Sequence, residues 1–189
     1  MKKGLLIFIG IGIVAQFGVI ASILIKRELT LRRGEVYRFA TAPVDPFDAF
    51  RGRYVALRFG VEQEPVYFPE HINAGKTCYA RLGTHTNGFA KIEAVISKKT
   101  NEPGLLKVRA ERGWRSGNAI MRVKLPFDRY YMPEKLAPEA ELVYNEAARR
   151  GNEQSAAAVV RVWRGNAVIE DLEIDGMPVL EYLKKNQAK

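Results

Sequence analysis

Residues 156–174 read Ala-Ala-Ala-Val-Val-Arg-Val-Trp-Arg-Gly-Asn-Ala-Val-Ile-Glu-Asp-Leu-Glu-Ile. Two apolar, β-branched runs, Ala156 to Trp163 and Ala167 to Ile174, flank Arg164-Gly165-Asn166, a short loop suited to a β-hairpin. A long apolar face of this kind belongs in a core, so the C-terminal part of the chain reads as antiparallel sheet.

Working back toward the N-terminus, the same signature recurs as far as Arg33. The apolar period is about two, and Gly, Pro and Asn interrupt it roughly every eight to twelve residues. Strands are expected over Val36 to Ala40, Gly52 to Val61, Thr77 to Leu82, Phe89 to Ser97, Leu105 to Glu111 and Ala119 to Pro126. Within Gly52 to Val61, Tyr54, Ala56 and Arg58 share one face, and Val55, Leu57 and Phe59 the other. A helix is predicted from Pro138 to Arg149, with Pro and acids early, arginines late and Gly151 beyond its end. A second covers Pro178 to Lys185. The absence of a βαβ alternation argues against a nucleotide-binding parallel sheet. The expected fold is therefore mainly β, with antiparallel sheets and one or two short helices.

Before Arg33 the pattern changes character. Leu5 to Ile25, LLIFIGIGIVAQFGVIASILI, is 21 residues without a charge. As a helix it measures roughly 31 Å at about 1.5 Å per residue, matching a hydrocarbon core of about 30 Å. A cleaved signal peptide would carry a shorter apolar run and a small-x-small cleavage site, whereas this run ends Ile23-Leu24-Ile25-Lys26-Arg27. The reading is a single N-terminal transmembrane helix that holds the protein in the lipid bilayer. The expected organisation is an anchor over 1–27, a linker over 28–33 and a β-rich domain over 34–189. Gly18 and Ser22 are spaced for close helix packing, but they and Gln16 are also tolerated in a lone anchor. A count of flanking cations, Lys2 and Lys3 against Lys26, Arg27, Arg32 and Arg33, favours a cytoplasmic C-terminal side.

The remaining composition narrows the chemistry. The chain has 189 residues, enough for one domain plus a dedicated segment. The single cysteine, Cys78, excludes an intramolecular disulfide and a multi-cysteine zinc site. Of the formal charge of +9, four cations flank the anchor, so the excess points at lipid before nucleic acid. The densest soluble cluster, Lys107, Arg109, Arg112 and Arg115 around Trp114, has the mix that stacks on a nucleic-acid strand. Alternate strand positions make it a solvated face instead, and no nucleic-acid partner is expected.

There is no P-loop, Gly-x-Gly-x-x-Gly turn or His-Glu-x-x-His helix. His71, Cys78 and His85 lack metal-ligand spacing, and neither a metal nor a cofactor is expected. A Ser-Lys hydrolase would have to draw on Ser97 (beside Lys98 and Lys99), Ser116 or Ser155. A paired-carboxylate site would use Asp45 and Asp48, although Asp-Pro sequences also initiate turns.

The stretch Pro43 to Phe59, PVDPFDAFRGRYVALRF, resembles the bacterial GDYXXLXY family, named for its Gly-Asp-Tyr-x-x-Leu-x-Tyr motif. Gly52, Tyr54 and Leu57 match the motif, while Arg53 replaces its Asp and Phe59 its final Tyr. Similar stretches recur at Phe127 to Glu134 and at the terminal hairpin ending Ile174-Asp175-Gly176. The resemblance implies a membrane-anchored bacterial protein of unassigned activity, sometimes associated with a polytopic membrane protein. Physically, the motif reads as a corner: Gly52 opens a strand, Tyr54 and Leu57 take opposite faces, and Arg51 can pair with Asp45 or Asp48. A groove with Tyr130, Tyr131 and Glu134 is expected beside it. The expected function is a non-catalytic accessory or binding module of the cell envelope, anchored in the inner membrane with its domain periplasmic. The competing reading is a membrane-tethered hydrolase.

Overall fold

The structure, a computed structural model, describes residues 2–42, 54–68, 72–115, 118–150 and 155–187. Helix α1 (Lys2–Arg33) leads into β1 (Glu35–Ala42), β2 (Tyr54–Ala56), β3 (Arg58–Phe59) and a 3₁₀ turn (Gly60–Glu62). Then come β4 (Thr77–Thr84), β5 (Ala90–Ile96), β6 (Leu105–Arg115), β7 (Asn118–Lys124) and β8 (Arg129–Tyr131). The chain closes with α2 (Ala137–Arg149), β9 (Ala156–Trp163), β10 (Asn166–Ile174), β11 (Met177–Pro178) and α3 (Val179–Gln187). A five-stranded sheet runs β11-β10-β9-β1-β3, a four-stranded one β5-β4-β6-β7, and β2 pairs with β8 alone. All of these pairings are antiparallel.

The hairpin forms with a tighter loop than the sequence suggests. Trp163 pairs with Asn166, leaving only Arg164 (φ 49°) and Gly165 (φ 87°) in the turn. Two successive left-handed residues give the turn a twist that matches that of the strands. The tip is fastened to the other sheet, because the Gly165 N–H donates to Leu105 O (2.9 Å) and the Lys107 N–H to Gly165 O (3.0 Å). A second turn of this kind, at Asp175 (φ 50°) and Gly176 (φ 77°), returns the chain into β11.

The strand expected over Gly52 to Val61 divides at Leu57. Its first part pairs with β8 and its second with β1, while the Leu57 N–H reaches Asp128 O at 2.8 Å. The alternation of faces survives: Val55, Leu57 and Phe59 are buried and Tyr54, Ala56 and Arg58 are not. Strand β8 went unread because three residues between Pro126 and Pro133 are too few to show a period.

Residues 28–33 are helical rather than a linker. Glu28, Leu29, Leu31 and Arg32 are good helix formers, and Arg32 Nε lies 2.5 Å from Glu28 Oε1 one turn back. The helix stops at Gly34, whose N–H donates to Thr30 O at 2.9 Å. Space selects glycine there. A Cβ at position 34 would collide with Thr30 O and stand 3.1 Å from both Arg161 Cβ and Val162 N. The last turns of α1 pack on β9 and β10, and Thr30 is fully buried with its hydroxyl donating to Lys26 O (2.8 Å). The most apolar stretch of α1 is unburied, and the helix is long and apolar enough to cross a membrane.

Both larger sheets feed one apolar core. Phe39 on β1, Phe59 on β3 and Phe127 pack edge to face at centroid distances of 5.8, 5.5 and 5.2 Å. Each such contact adds about 1 kcal/mol beyond the burial of the rings. Helix α2 closes one end, with Tyr144 fully buried and its hydroxyl donating to Ala42 O (3.2 Å).

A candidate cleft at the helix and sheet junction

Ile23, Lys26, Arg27 and Thr30 follow the spacing i, i+3, i+4, i+7, so they share one face of α1. That face turns toward β8 and β10, and between them lies a cleft of about 530 Å³. Strand β8 supplies Arg129, Tyr130 and Tyr131, and β10 supplies the run from Asn166 to Glu170.

Strand β10 carries an irregularity that shapes this wall. Ile169 pairs with Val160 and Asp171 with Val159, so Glu170 is an extra residue, a bulge. The bulge directs Glu170 to Arg161 (2.8 Å) and turns Asp171 toward Tyr130. Asp171 Oδ1 accepts the Tyr130 hydroxyl (3.2 Å) and its neighbour's Leu172 N–H (2.7 Å). Burial, the Asp171 charge and that hydrogen bond together push the Tyr130 phenol up to about 12. Its proton is held firmly. Tyr131 is two-thirds exposed, and its ring lies 5.7 Å from that of Tyr54, its partner across β2. The Arg129 guanidinium sits 4.9 Å over the Tyr54 ring and 3.5 Å from Asp128 Oδ1. The cleft thus presents three cations from two elements, while its carboxylate Glu170 is engaged by Arg161.

The sequence-predicted residues divide accordingly. Tyr130 and Tyr131 line the cleft, and Tyr54 packs against Tyr131 from behind. Leu57 lies in the core at 3% exposure, and Glu134 is exposed on the turn before α2, away from the lining. Asp45, Asp48, Arg51 and Gly52 lie outside the described residues, as do Ser116 and His71. Phe59, which replaces the motif's Tyr, is wholly buried among phenylalanines. Sequence reasoning missed Lys26, Arg27, Arg129, Asn166 and Glu170 as cleft residues. Only the helical spacing of the first two could have signalled them.

The other candidates are dispersed. Ser155 is buried, and its carbonyl accepts the Asp175 N–H at 3.0 Å. The basic cluster of β6 splits by strand parity, Lys107 and Arg109 facing one way and Arg112 and Trp114 the other. Cys78 is buried on β4, and burial raises its thiol pKa.

A β-rich domain carried on an apolar N-terminal helix, with a cationic cleft where the two meet, is the class of protein that this geometry defines. The family model described as GDYXXLXY protein matches residues 16–172, and the chain belongs to that family. The matched region starts inside α1 and ends in β10, so it includes every element of the cleft. Neither the curated proteins nor the solved structures yield a match.

Proposed function

We propose that the protein is a membrane-anchored, non-catalytic binding module of the bacterial cell envelope that acts with a membrane-protein partner. The observation that carries this reading is the docking of α1 on the sheet. With Thr30 buried and Gly34 fitted against β9, the β-domain does not swing on a tether but is held beside the bilayer, with the cleft at its surface. A rigid stalk of this kind suits recognition of something at or in the membrane. Exposed Tyr131 on the rim offers the amphipathic aromatic surface typical of contact sites.

The family resemblance supports an inner-membrane anchor with a periplasmic domain, whereas the cations flanking the helix favour the opposite side. A phosphatase reporter fused to the C-terminus tests the side directly. Activity in intact cells is the expected outcome, and a silent but expressed fusion would overturn the periplasmic placement. Purification of the full chain in mild detergent tests the accessory role. A stoichiometric membrane protein is expected to accompany it, and labelling of Ser97, Ser116 or Ser155 by a serine-hydrolase probe would replace this reading with a tethered hydrolase.

A further inference from the structure

We infer that the cleft between α1 and strands β8 and β10 binds one acidic phospholipid of the surrounding bilayer, with Lys26, Arg27 and Arg129 holding its phosphodiester. The inference rests on the proposed membrane anchoring and gives the cleft a ligand.

Depth is the first argument. Along the α1 face that lines the cleft, apolar Ile23 comes first, Lys26 and Arg27 follow, and buried Thr30 closes the end. At about 1.5 Å per residue the two cations stand roughly 5 Å beyond Ile23. The headgroup layer occupies roughly the first 5 to 8 Å outside a hydrocarbon core of about 30 Å. A lipid whose chain lies along Ile23 therefore brings its phosphate level with the cations.

Convergence is the second. Lysine and arginine beside a spanning helix ordinarily reach out to the headgroups in general. Here Arg129 approaches the same space from the β-domain, which interfacial anchoring does not require. Lys26 and Arg27 form no ion pair among the described residues, and Glu170 is occupied by Arg161. Arg129 is shared with Asp128 at 3.5 Å, the lining carries three cations against the one carboxylate Glu170, and a guanidinium fork matches phosphate oxygens.

Composition is the third. Val168, Ile169 and Phe127 give the cleft an apolar wall, whereas Asn166 and Tyr131 supply hydrogen-bonding groups at its edge. A free phosphate would leave that wall unused. A volume of about 530 Å³ suits a headgroup with its glycerol and first methylenes, the rest of the chains remaining in the bilayer.

The test uses the full chain, released from nanodiscs of phosphatidylcholine alone or mixed in equal parts with phosphatidylglycerol, with retained lipids counted by native mass spectrometry. One phosphatidylglycerol per chain and no phosphatidylcholine is the expected result. The double variant Lys26→Gln, Arg27→Gln and the single variant Arg129→Gln should each weaken retention, by roughly fivefold per cation removed. Lys185→Gln, an exposed change outside the cleft, should leave retention unchanged. The double variant lies on α1 and keeps the β-domain's own contacts intact, so its result stands even if Arg129→Gln disturbs folding. Equal retention of both lipids, indifference to all three substitutions, or displacement of the lipid by an equal concentration of inorganic phosphate would each overturn the inference. Recovery of the membrane-protein partner from the same samples separates the two readings. A partner without bound lipid defeats only the lipid site, and bound lipid without a partner defeats only the accessory role.

Discussion

Tyr130 shows how one hydroxyl ties the cleft to the core. Its ring is half-buried, and its proton goes to Asp171, a residue that the bulge at Glu170 has turned out of the regular alternation. Raising the phenol pKa from 10.0 to about 12 makes folding stability depend on alkaline pH in a defined direction. Below pH 10 the phenol is protonated in both the folded and the unfolded chain, and its contribution is constant. Between 10 and about 12 the unfolded chain ionises while the folded one does not, so stability falls. Tyr130→Phe is expected to lessen this alkaline loss. Denaturant midpoints measured across that pH range check it, and an unchanged slope would show that burial and Asp171 do not raise the Tyr130 phenol in solution. Tyr144, raised to about 12 mainly by burial, supplies a background that the substitution leaves in place.

At the scale of elements, the junction between α1 and β1 decides whether the cleft exists. Arg161 Nη1 reaches Gly34 O (3.4 Å), and a side chain at Gly34 would collide with Thr30 O in the last turn of α1 and press on Arg161 and Val162 of β9. Gly34→Val is expected to lever the last turn of α1 away from the sheet and to cost about 1 to 3 kcal/mol, as overpacking does. The β-domain, with its Phe39, Phe59 and Phe127 cluster, should persist. Protease cleavage near Lys26 and Arg27 in detergent-solubilised protein should therefore accelerate in the variant while cleavage within the sheets does not. Equal rates in the two proteins would mean that α1 is not docked through this contact. The same reasoning explains why a linker was expected over 28–33: charges after an apolar span resemble a solvated connection until the surface that Thr30 meets is known.

For the whole molecule, two solvents divide the chain. The apolar stretch of α1 is unburied and long enough to cross a membrane, whereas the β-domain buries its own core, so the two should separate cleanly if cut at the right place. A chain beginning at Lys26 keeps Thr30, the Lys26 carbonyl that its hydroxyl bonds, and Gly34, and is expected to partition into the aqueous phase with its thermal transition intact. A chain beginning at Gly34 uncovers the part of β9 and β10 on which Thr30 packs, and its transition should fall by several degrees, since about 1 kcal/mol shifts the midpoint by roughly 2 to 4 °C in a domain of this size. Scanning calorimetry of the two truncations checks this. Equal transitions would mean that α1 contributes nothing to the domain.

Local pattern alone determined much of this protein. A charge-free run of 21 residues made the long apolar helix, period-two stretches made most of the strands, and the loop signal around Arg164-Gly165-Asn166 made the terminal hairpin. Those features arise from neighbours in the chain, so a sequence displays them. Only the tertiary structure decided that the segment around Leu57 changes partners between β8 and β1, and that helix persists to Arg33. It alone brought Lys26, Arg27 and Arg129 to one cleft. Lys26 and Arg129 stand about a hundred positions apart in the sequence, and nothing in local propensity records a distance closed by packing α1 on β9 and β10. The cleft exists because a helix face and a bulged strand meet, and that meeting is settled by the fit of Thr30 and Gly34 against the sheet.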